Sequence, residues 1–113
     1  MIEASVIREI ISVYAKHGWT LRRVLLSNAL ETAIKTNIPK LFADATIQGS
    51  DIDAIWVSRE RNSDGTAWEI RHLSSAPYAL VVVVDETADE FEEMLADTEE
   101  RFRETIGKRK SGH

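Results

Sequence analysis

Asp53 stands at the head of one strand-like run, and Glu69-Ile70-Arg71 lies in the next. Alternate residues of a strand point to the same side, so Glu69 and Arg71 are neighbours on one face of whatever sheet they join. Two carboxylates held together neutralise a hard divalent cation, and a base beside them helps activate water.

An acid followed by a strand-borne acid-x-base resembles the pattern of the PD-(D/E)xK nucleases. The resemblance covers about a third of the chain. It implies Asp53 and Glu69 as Mg²⁺ ligands, with Glu31 as an earlier acidic ligand, Arg71 in the place of the family's Lys, and a phosphodiester as substrate. The chain departs from the family in two ways. Arg71 is too basic to accept a proton, and a strand-like run at 78–85 follows where the family places a helix. A polar pair on the solvated side of a hairpin is the plainer reading of Glu69 and Arg71.

Other chemical patterns are thinner. Asp44, Asp51 and Asp53 surround a Gly-containing loop, without the acidic alternation and closing Glu of a Ca²⁺-binding EF-hand. His17, His72 and His113 fall in no zinc-ligand spacing, and no Ser lies in Gly-x-Ser-x-Gly. The 5 glycines form neither a dinucleotide fingerprint nor a Walker loop. No resident metal or cofactor is therefore expected.

Composition narrows the classes further. There is no cysteine, which removes thiol nucleophiles, disulfides and iron–sulfur ligation. The 14 basic and 19 acidic side chains give a net charge of -5, which disfavours a broad nucleic-acid surface. The longest apolar run, Tyr78 to Val84, is far below the ~20 residues of a membrane-spanning helix. No leader pattern opens the sequence, and a soluble, cytoplasmic protein is expected.

The elements that must position these residues can be read from hydrophobic period. Residues 2–17 put Ile2, Val6, Ile10 and Val13 on one stripe with Ile7, Ile11 and Tyr14 beside it, which predicts a helix ended by Gly18. A strand over 19–27 and a short helical connection broken at Pro39 follow, and 45–51 reads as loop. Residues 52–60 and 66–73 form a hairpin around 61–65, and Tyr78 to Asp85, with four consecutive valines, makes a third strand. Thr87-x-x-Glu90 is a capping box for a last helix with Phe91, Leu95, Phe102 and Ile106 on its stripe, closed by Gly107.

This order predicts a two-layer α+β sandwich: an antiparallel sheet of about four strands with the N- and C-terminal helices packed on one face. Residues 1–107 form one domain, and 108–113 are a mobile basic tail containing Lys108, Arg109 and Lys110.

Apolar residues fall on both sides of this small sheet, and two helices on one face leave the other uncovered. Trp56, Trp68 and Tyr78 are the expected interface, and the leading expectation is a non-enzymatic association or scaffold module acting as a homodimer, with an unidentified protein partner as a variant of it. The enzyme reading through Asp53, Glu69 and Arg71 is the first alternative. A small-molecule pocket lined by Leu41, Phe42 and Trp56 is the second.

Overall fold

The structure is a computed structural model, and it describes residues 1–61 and 65–111, the side chains of 109–111 excepted. The chain runs α1 (Ala4–Lys16), β1 (Thr20–Leu26), α2 (Asn28–Ala33), a 3-10 turn (Lys35–Asn37), α3 (Ile38–Phe42), β2 (Thr46–Gly49), β3 (Ala54–Arg61), β4 (Gly65–His72), β5 (Ala79–Val84) and α4 (Phe91–Ser111). The five strands form one sheet in the order β2-β1-β3-β4-β5. β1 pairs parallel with β2, and all other pairings are antiparallel. The α+β class and the antiparallel majority are as the sequence leads one to expect.

α1 ends where Gly18 adopts a φ of 86°, and Arg59 reaches across to donate to the His17 carbonyl at 3.0 Å while lying over the Trp19 ring. The sequence pattern thus locates this boundary through the one residue type that enters the left-handed region without strain.

Strand alternation divides the core in two. Val24, Leu26, Ile55 and Val57 point to one face and pack with Ile7 of α1, Leu30 and Ile34 of the α2 region, and Leu41 and Phe42 of α3. Leu25, Ala54, Trp56, Trp68 and Ile70 point to the other and pack with Leu95, Phe102 and Ile106 of α4. Each terminal helix with the strands beneath it makes a two-layer packing, and the two layers lie on opposite faces. The expectation had both helices on one face. The physical reason for the difference is the two-sided apolar character of β1 and β3, which requires cover on each side.

Three further differences are local. β2 is a fifth strand within the stretch expected to be loop, short and exposed throughout. α4 begins at Phe91 rather than at Thr87, because the Thr87 N–H and hydroxyl both donate to the Asp85 carboxylate and hold a turn there. α4 also continues through Gly107 into the stretch expected as a tail, since one glycine costs a helix only about 1 kcal/mol. Residues 62–64 of the expected hairpin loop, and 112–113 of the expected tail, lie outside the described residues.

Gly65 opens β4 at a φ of 96°, and a Cβ there would stand 2.7 Å from the Val84 carbonyl oxygen. The close approach of β5 to this strand therefore requires glycine. Among the described residues, no helix is long and apolar enough to cross a membrane.

Candidate functional site

Asp53 precedes β3, and its carboxylate accepts from the Ser27 backbone N–H at 2.7 Å and from the Ser27 hydroxyl at 3.2 Å. Ser27 in turn caps α2 by accepting from the Leu30 N–H at 3.2 Å. Asp53 is thus engaged in fixing the entry to α2, where its negative charge also suits the helix dipole.

Glu69 and Arg71 do share a face, the one that carries α1. Glu69 lies opposite Val57 on β3 and accepts a hydrogen bond from the Tyr14 hydroxyl of α1. Burial pushes the Tyr14 phenol well above its usual range, and the Glu69 carboxylate it donates to adds to the shift. Arg71 lies opposite Ile55 and donates to the His72 carbonyl.

Asp53 stands four positions before Val57 of β3, which sets it roughly 14 Å along the strand from Glu69 at ~3.4 Å per residue. Two ligands of one hard cation must each approach to about 2–2.6 Å. The structure therefore brings Glu69 and Arg71 together and leaves Asp53 apart. Glu31 is exposed on α2, its N–H bonded to the Ser27 carbonyl. Among the described residues, no group of three or more metal-ligating side chains is gathered.

A Ser–His contact that the sequence left unnoticed sits in the turn after β4. Ser74 Oγ is 3.0 Å from His72 Nδ1 and donates to the Ala76 carbonyl at 2.8 Å. The serine hydroxyl thus ties the His72 ring to the Ala76 carbonyl across the turn.

Trp56 and Trp68 are fully buried beneath α4. Their indole N–H groups donate to Glu99 at 3.4 Å and Glu86 at 3.1 Å, and the rings meet edge to face at 6.0 Å. Tyr78 is half-buried and stacks on Phe102 of α4 at 5.1 Å. The surface expected as an interface is thus covered by this chain's own helix. Leu41 and Phe42 line a groove as expected, but Trp56 is not part of its lining.

The apolar surface left open is on the other face. β5 is the sheet's outer strand, and Val81 and Val83 point away from α4 with 57% and 38% of their surface exposed. Between β4 and α1 a shallow groove of about 360 Å³ is lined by Val6, Glu9, Ile10, Val13, Tyr14 and Arg71. Val6 and Val13 are themselves exposed, so the open valines of β5 and those of α1 flank Glu69 and Arg71.

A second feature is made by a bulge. Leu21 pairs with Val57 and Arg23 with Trp56, leaving Arg22 as the extra residue of β1. Both guanidinium groups consequently lie on the α4 side, 4.6 and 5.5 Å from the Trp68 ring centre. Arg22 donates to Ser58 at 3.0 Å and pairs with Glu86 at 3.5 Å. Arg23 donates to Glu92 at 2.7 Å and holds that carboxyl below its usual range through the hydrogen bond.

No family model matches the chain, and no curated protein or solved structure is similar to it at a significant level.

Proposed function

We propose that the protein is a small association module whose partner is a second copy of itself, joined along β5 and the open face beside it. The observation that carries the reading is β5. Ala79–Val84 is a six-residue outer strand without charge or proline, and it leaves Val81 and Val83 exposed. Strands of this kind are ordinarily protected by lysine, proline, a bulge or a covering loop, because their free N–H and C=O groups template another strand.

A second copy suits this edge for two reasons. β3, β4 and β5 already alternate in direction, so an antiparallel β5–β5 contact continues the same sheet across a twofold axis and closes after two subunits. On the flanking face Glu69 and Arg71 stand side by side, with Glu9 across the groove, so a twofold axis lets the base of one copy meet an acid of the other.

Amide hydrogen exchange followed against protein concentration tests the reading. The outward N–H groups of β5 should become protected as concentration rises, while those of the exposed strand β2 should not change. Rapid, concentration-independent exchange along β5 would reject the association.

A further inference from the structure

The groove at the opposite edge of the sheet is built differently from the β5 surface, and what it can hold is independent of whether β5 self-associates. It has a volume of about 620 Å³ and lies between Thr20–Arg23 of β1 on one wall and the stretch from Leu41 to Thr46 on the other. The ladder of β1 with β2 begins only at Arg23 and Thr46, so β1 extends three residues beyond its neighbour. An unpaired stretch of strand edge recognises extended backbone.

The two sides of this edge differ in chemistry. Ile11, Leu21, Leu41 and Phe42, all from the α1 side, supply apolar lining. On the α4 side, the bulge presents Arg22 and Arg23 together, with Trp68 and Phe91 behind them. A peptide lying along the strand directs successive side chains to opposite faces. Its alternate residues would therefore meet apolar surface and paired guanidinium groups in turn.

The arginines are preorganised. Trp68 underlies them by cation–π contact, which limits the freedom lost on binding. Arg22 and Arg23 are 39% and 22% exposed and already paired with Glu86 and Glu92, so an incoming acid must displace those carboxylates. A guanidinium fork takes an incoming carboxylate in two parallel hydrogen bonds. Asp44 on the opposite wall opposes a free dianion, yet can accept from peptide N–H groups. Ala43, also in that wall, holds a φ of 45°, a conformation that glycine favours, and such positions gather at ligand sites.

We propose that this groove binds a short extended peptide of alternating acidic and apolar residues, added to the sheet alongside Thr20–Arg22. The test is fluorescence anisotropy with a labelled Val-Glu-Val-Asp-Val peptide and the intact protein. Saturable binding is expected, at least tenfold weaker for the Arg22→Met/Arg23→Met protein and partly restored in Arg22→Lys/Arg23→Lys. On the unaltered protein, replacing both peptide acids with lysine should abolish binding, and methylating alternate peptide N–H groups should weaken it by a similar factor.

Absence of saturable binding would overturn the proposal. So would equal binding of the methylated peptide, because the backbone would then play no part. Displacement by stoichiometric inorganic phosphate would reduce the groove to a simple anion site and would also overturn it.

Discussion

Tyr14 and Glu69 are 55 positions apart in sequence, and their hydrogen bond ties α1 to β4. The raised folded pKa of Tyr14 sets the sign of a pH effect. The stability it contributes is fully present below the unfolded phenol value of about 10 and is lost as pH rises through the higher folded value. Denaturant titrations across the alkaline range should therefore show the unaltered protein losing stability more steeply than Tyr14→Phe; equal slopes would mean the phenol is not held. Asp53→Ala should destabilise by about 1–3 kcal/mol through the orphaned Ser27 groups, read as a lower denaturation midpoint. At this scale the sequence made the shared face of Glu69 and Arg71 legible from strand period alone. It could not reveal the Tyr14 contact or the distance to Asp53, which depend on where α1 lands and how β3 and β4 are registered. Nor does any local pattern mark the extra residue in β1 that turns Arg22 and Arg23 to one side.

The elements differ in how far local residues determine them. α1 declares itself through its apolar stripe and Gly18, and β4 and β5 through alternation and the valine run. β2 does not, because Thr46–Gly49 is brief, exposed and without apolar alternation, and it becomes a strand only because β1 offers an edge. At α4 the expected cap at Thr87 loses to Asp85, which takes both Thr87 donors. Two glycine substitutions separate these effects. Gly107→Ala lies in α4 with nothing among the described residues within 4 Å of the added Cβ beyond the helix's own backbone, so it should raise stability by up to ~1 kcal/mol. Gly65→Ala should lower it by at least about 1 kcal/mol, since both the backbone angle and the Val84 carbonyl oppose a side chain. Thermal melts of the two variants should shift in opposite directions.

For the whole molecule, burial decides which surface is left to act. The excess of apolar residues on the sheet was legible in the sequence and motivated association. Its location was not, because that depends on α4 closing over Trp56 and Trp68 while α1 leaves the β5 side of the other face open. A lysine at position 81 tests this arrangement without disturbing the core, since Val81 is largely exposed and such a surface change alters monomer stability by no more than about 0.5 kcal/mol. Sedimentation velocity of the unaltered protein and of Val81→Lys, from low to high micromolar concentration, reads self-association through β5. A dimer is expected for the unaltered chain and a folded monomer for Val81→Lys at the same concentrations. A monomer throughout for the unaltered chain, or a dimer that Val81→Lys leaves intact, would contradict it.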